Sequence, residues 1–261
     1  MVPCVAMDTT PITTSAPSPH QRMLTAVRLA MAATVPGARI VPKESSRLMR
    51  AVGWFFRVTR INPRFAEYVT VVGRTVYAPG ELLDDPARAW PVVGHELVHL
   101  LRAWHWRLRD MATWLPPAQR PLPPPVEGSR ARLIGWSLAY LLPQSAALAL
   151  FVASLATLAF TGLGAGILLG CAAIALCPWP APFRLREEAE AYVVSIAAAS
   201  IAGGNRDVGG IVDQLAGWPY YRAAWSRGAA TEALSRALAY PSAETSHVVE
   251  RLRAMWAESA S

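Results

Sequence analysis

The sequence predicts an α+β fold, mostly helical, with a β-hairpin and a long motif helix in its core, interrupted by a two-helix transmembrane hairpin. Three observations carry this prediction. A β-rich stretch broken by Gly73 precedes an apolar helix containing His95-Glu96-Leu97-Val98-His99. Residues 133–183, a run of 51, contain no Asp, Glu, Lys or Arg. Alanine-rich helical patterns fill most of the chain after residue 184.

Taken in order, residues 1–19 are rich in Thr, Ser and Pro and lack the apolar segment of a secretory signal, so they read as a disordered tail. The part expected to carry the motif spans residues 20–114. Its helices are predicted at His20–Val35, interrupted on its apolar side by Arg28, and at Ser45–Thr59, opened by serine caps. Phe65–Val72 and Arg74–Tyr77 are strand-like and joined at Gly73, and Pro79-Gly80 ends them. Asp85 is a candidate N-cap with Pro86 at the first helical position. Pro91 either kinks the motif helix or starts a fresh one. Six prolines between Leu115 and Val126 predict an extended linker over residues 115–130. The segment 131–183 follows, and then a helical part, 184–261, opened by Arg186-Glu187-Glu188-Ala189-Glu190-Ala191-Tyr192 and stopped first at Gly203-Gly204. Further breaks are expected near Gly209-Gly210, Gly217-Trp218-Pro219 and Pro241.

A membrane crossing takes about 20 apolar residues, so the uncharged run has room for two, placed at Leu141–Phe160 and Ala165–Phe183 around a turn near Thr161-Gly162-Leu163-Gly164. Trp136, Tyr140 and Trp179 sit where interfacial aromatics belong, and Pro143 marks off Leu133–Leu142 as a separate interfacial helix. Arginines precede the run (Arg102, Arg107, Arg109, Arg120, Arg130, Arg132) and follow it (Arg184, Arg186). By the positive-inside rule both flanks face the cytoplasm, which makes a lipid bilayer an expected partner.

The net charge is +7, yet Lys43 is the only lysine, and arginine in its place beside abundant alanine reads as a coding bias. No nucleic-acid-binding motif accompanies the charge, so no nucleic acid is expected as a partner. Cys4, Cys171 and Cys177 form no Cys-x-x-Cys, which argues against a disulfide framework or a cysteine metal site.

The chemistry concentrates in the motif. Positions i and i+4 share one helix face, so His95 and His99 can grip one ion, and Glu96 lies beside it. This is a zinc-hydrolase arrangement, with Zn²⁺ as the expected cofactor and Glu96 as the expected catalytic base. Val92, Val93, Leu97, Val98, Leu100 and Leu101 surround the polar triplet, as a buried helix with an inward-facing site requires. Zinc needs a third protein ligand and keeps a fourth position for water. One source is the acidic cluster Glu187, Glu188 and Glu190. The other is His105, six residues after His99, although Arg102 stands where a turn-forming glycine would be needed and an unbroken helix turns His105 away.

His95-Glu96-Leu97-Val98-His99, a hydrophobic hairpin, and then Glu188-Ala189-Glu190-Ala191-Tyr192 resembles the membrane-embedded gluzincin peptidases, the bacterial heat-shock membrane protease and CAAX prenyl-protein protease relatives. The resemblance spans roughly residues 68–200. It implies a zincin-like core, a zinc metalloendopeptidase acting on peptide or protein substrates, and a multi-pass placement in a bacterial inner membrane with the active site facing the cytoplasm. Registering Ala191 on the family's alanine makes Glu188 the third ligand beside His95 and His99, with Glu187 and Glu190 as alternatives. The family's supporting aspartate falls on Tyr192, a departure that touches the surroundings of the site. In the implied mechanism Glu96 takes a proton from a zinc-activated water and later donates it to the leaving amine. Residues 65–77 could offer an edge strand to substrate. Tyr192, Tyr77, His247 and Arg186 are candidate donors to the transition state, while His20 and His247 otherwise read as surface or capping residues. The competing reading is a non-catalytic membrane, phage or mobile-element protein with a structural zincin-like metal site. A membrane-surface adaptor whose basic, Trp-rich residues 102–109 bind anionic lipid is a third.

Overall fold

The computed structural model describes residues 16–59, 64–105, 128–140, 167, 170–171, 181–217 and 223–260. They form a mostly helical structure with one small sheet. Helix α1 (Pro19–Thr34) starts where the sequence can satisfy its free amides. Ser18 accepts from the Gln21 amide, the Gln21 side chain returns to the Ser18 amide at 2.7 Å, and Pro19 opens the first turn. Strand β1 (Arg39–Pro42) leads through a 3₁₀ turn at Lys43–Ser45 into α2 (Arg47–Thr59).

The strand expected over residues 65–72 divides. Phe65–Glu67 forms a 3₁₀ turn, and only Thr70–Val72 (β2) is extended. Gly73, at φ +60°, takes the left-handed conformation that turns the chain into β3 (Thr75–Ala78). The sheet order is β1-β3-β2. β2 pairs antiparallel with β3 (Val71 opposite Val76), and β1 pairs parallel with it (Ile40 opposite Val76).

A short helix, α3 (Gly80–Leu83), precedes the motif helix α4 (Pro86–His105). The Asp85 side chain accepts from the Arg88 amide at 3.3 Å, and the helix runs on through Pro91. Helix α5 (Arg130–Tyr140) and the glutamate-bearing helix α6 (Pro182–Ile201) both pack on α4. Gly203, at φ +77°, ends α6, with the Gly203 amide bonding Ser200 O and the Gly204 amide bonding Ala199 O. Three helices complete the described chain: α7 (Val208–Ala216), which runs through Gly209-Gly210 instead of breaking there, α8 (Arg227–Ala239) and α9 (Ala243–Ala260).

The main core joins α1, α4, α6, α9 and the sheet through residues such as Met23, Val76, Trp90, Val98, Val194 and Leu252. Trp90 is fully buried, its indole donates to His20 Nδ1 at 3.1 Å, and its ring stacks on Trp256 at 5.7 Å. His20 is therefore a core-facing partner, in contrast to the surface or capping role its position suggested. Gly94 lets helices meet closely, since a Cβ there would come within 3.3 Å of Leu252 and 3.5 Å of Val194.

Among the described residues no helix is long and apolar enough to cross a membrane. That finding overturns the fold class expected from sequence, a core interrupted by a transmembrane hairpin, and with it the multi-pass, cytoplasm-facing placement in an inner membrane. The described ends of the uncharged run show the physical reason. Trp136 and Tyr140, expected at a lipid interface, lie on α5 and hydrogen-bond to carboxylates of α6. Phe183 lies in the first turn of α6 and meets the Trp136 ring edge-on at 6.4 Å. Apart from residues 167, 170–171 and 181–183, the proposed spans 141–160 and 165–183 lie outside the described residues. So do the linker at 115–126 and most of the tail.

Candidate metal centre

The centre is built along the seam between α4 and α6. On α4, His95, His99 and Arg102 follow at i, i+4 and i+7 and so share one face. On α6, Glu188, Tyr192 and Ser195 repeat the same spacing, with Glu187 and Glu190 flanking that stripe. The helices meet antiparallel: Ser195 opposes His95, Glu188 opposes both histidines, and Glu187 opposes Arg102.

His95, His99 and Glu188 bring one donor atom each within 4.8 Å of one another, and all three are buried. His95 Nε2 lies 3.2 Å from His99 Nε2, 3.5 Å from Glu188 Oε2, and His99 Nε2 lies 3.5 Å from Glu188 Oε1. These residues fit a metal ion. Two zinc–nitrogen bonds of about 2.0–2.1 Å at a tetrahedral angle separate their nitrogens by about 3.3–3.4 Å. Lone pairs of two imidazoles and a carboxylate converge in a space closed to solvent, which a cation or shared protons must neutralise. The His95 ring is fixed from behind, its Nδ1 lying 3.1 Å from Ser195 Oγ, with Tyr192 edge-on at 4.8 Å. His99 Nδ1 is buried with no hydrogen-bond partner among the described residues, so the polar contacts of this ring described here are those of Nε2.

Burial pushes the Glu96 carboxyl up to about 7; Glu188 adds to the rise, while His95 and Lys43 oppose it. Burial also raises the Glu188 carboxyl, but the imidazoles of His99 and His95 outweigh it and hold the group well below the usual carboxylate range. The tyrosine that bonds it, Tyr140, is raised well above its ordinary value by burial and by the Glu188 charge.

The alternatives separate cleanly. Glu187 is gripped by Arg102 through two bonds, Nε to Oε2 at 2.6 Å and Nη2 to Oε1 at 2.7 Å. Burial raises its carboxyl, but Arg102, Arg186 and the Trp136 indole together bring it down to about 2. Glu190 caps α9: its Oε2 accepts from the Ser242 amide at 3.0 Å and from Thr245 Oγ1 at 2.7 Å. His105, half-buried at the end of α4, is outside the cluster, and its ring is lowered by burial. Of the candidate transition-state donors, Tyr192 touches the centre, Arg186 bonds Glu187, Tyr77 lies half-buried on β3, and His247 is exposed on α9.

Helix α5 adds residues that sequence reasoning missed. Tyr140 donates to Glu188 Oε1, and the Trp136 indole donates to Glu187 Oε2 at 3.2 Å. Both rings lie 5.8 Å from His99. The available signal was their i, i+4 spacing, which puts them on one face; for Ser195 it was the seven-residue step from Glu188. Comparison of the chain with protein-family models, curated proteins and solved structures returns no match.

Proposed function

We propose that the chain is a zinc-dependent metallopeptidase of gluzincin type, with His95, His99 and Glu188 as ligands and Glu96 as the general base. One observation carries this reading. Two imidazoles and a carboxylate about ninety positions downstream converge on one buried point, beside a glutamate that is not among the ligands. Two histidines and one glutamate form a donor set used by catalytic zinc in hydrolases. When bound, zinc supplies Lewis acidity to the scissile carbonyl and to water. Ser195 and Tyr192 orient His95, so its Nε2 stays aimed at the centre. Glu96 holds the proton taken from water and returns it to the leaving amine, a transfer that needs a carboxylate close to the centre but outside its ligand set.

The burial of all four groups favours one competing reading, a structural metal site in a non-catalytic protein. The two readings separate experimentally. Metal analysis of purified wild type is expected to give one zinc per chain. Glu96→Gln keeps that zinc and loses peptide hydrolysis by at least about 100-fold, the lower range for a general base, whereas His95→Ala loses the zinc. Wild type without stoichiometric metal sinks the proposal, and a zinc-loaded wild type that hydrolyses no peptide in a broad library transfers the case to the structural reading.

A further inference from the structure

Resting on the metal reading above, we propose that Tyr140 is a positioning residue: its hydroxyl donates to Oε1 of Glu188 and holds that carboxylate toward the two imidazoles. The two oxygens have different surroundings. Oε1 accepts from Tyr140 and lies 3.5 Å from His99 Nε2, whereas Oε2 lies 3.5 Å from His95 Nε2. A donor bonded to a ligand carboxylate restricts its rotation and so keeps it aimed at the cation.

Tyr140 is itself held in place. Trp136 stacks on it at 4.7 Å with 23° between the rings, and that indole is tied to Glu187, the residue before the ligand. The Tyr140 ring also meets His99 nearly edge-on, at 74°. Helix α5 thus touches the ligand carboxylate, its neighbour and a ligand imidazole together. The resemblance implies that an aspartate one turn after the ligand glutamate supports the site. Here that position is Tyr192, packed on His95, and the donor to the carboxylate comes from a different helix.

The test uses the full chain loaded with Co²⁺, whose visible absorption reports ligand number and geometry. Tyr140→Phe keeps the ring and its stacking and removes only the hydroxyl. It is expected to alter the Co²⁺ spectrum and to weaken metal retention against a chelator by about 10–100-fold, the usual effect of losing a group that orients a ligand. Replacing Tyr140 with para-aminophenylalanine, which keeps the ring and puts an N–H donor at the reach of the hydroxyl, is expected to recover most of that loss. A role in packing alone lowers the melting temperature and leaves the spectrum unmoved. A folded Tyr140→Phe protein with wild-type spectrum and affinity overturns the assignment while leaving the metal reading intact. If Tyr140→Phe does not fold, the para-aminophenylalanine protein carries the test, and loss of metal there despite the retained donor overturns the assignment. Wild type that takes up no Co²⁺ removes the metal reading and this assignment together.

Discussion

Helices α4 and α6 contribute to the same centre in opposite ways. On α4 the candidates follow from local spacing: two histidines four apart with an intervening glutamate share one helix face. On α6, Glu187, Glu188 and Glu190 are chemically identical and nearly adjacent, yet each meets a different partner. Glu187 meets an arginine, Glu188 two imidazoles and a phenol, and Glu190 the start of another helix. A side chain's identity sets what it can do, and the surface opposite it sets what it does.

That contrast can be broken most directly at the carboxylates. Glu188→Ala is expected to abolish stoichiometric metal binding, whereas Glu190→Ala retains the metal and loses about 1–3 kcal/mol of stability, because a buried amide and hydroxyl at the start of α9 lose their acceptor. Zinc analysis and denaturant titration of both variants check this; equal metal loss in the two erases the division of labour. Next in size is Arg102→Ala. It strips the buried Glu187 carboxylate of its two-bond partner, leaving the longer contact with Arg186, and is expected to cost about 3 kcal/mol, the lower end for breaking a buried pair. Arg102→Met combined with Glu187→Met is expected to recover much of that loss, read from the shift in unfolding midpoint. The smallest effect is expected at Ser195→Ala, which removes the group behind His95. Metal affinity should fall about 10–100-fold with little change in fold, measured by chelator competition.

The sequence made some of this legible and not the rest, for physical reasons. Local rules bounded α1 to within a residue at each end of the expected His20–Val35, because the signals that start and stop a helix act within one turn, although the capping Ser18 was read as part of the tail. They placed the start of α4 at Asp85-Pro86 and the end of α6 at Gly203 for the same reason. Strand β1 escaped notice because its four residues are defined by parallel pairing with a strand 36 positions away. The roles of Tyr140 and Trp136 were hidden because aromatics ending an uncharged run look alike whether they face lipid or protein carboxylates. Hydropathy counts what a side chain is made of, and here the hydroxyl and the indole N–H decided its place. The choice of Glu188 over its neighbours came only from a resemblance, because three carboxylates at a helix start are equivalent until another helix lies against them.

The absence of a side chain at Gly94 has a consequence for the candidate centre next to it. Leu252 and Val194 close on that spot, one residue before His95, so an added Cβ would press on α9 and α6 together. On the metal reading proposed above, a side chain added at position 94 would therefore disturb the arrangement of the candidate ligands through the helix packing, without touching any of them.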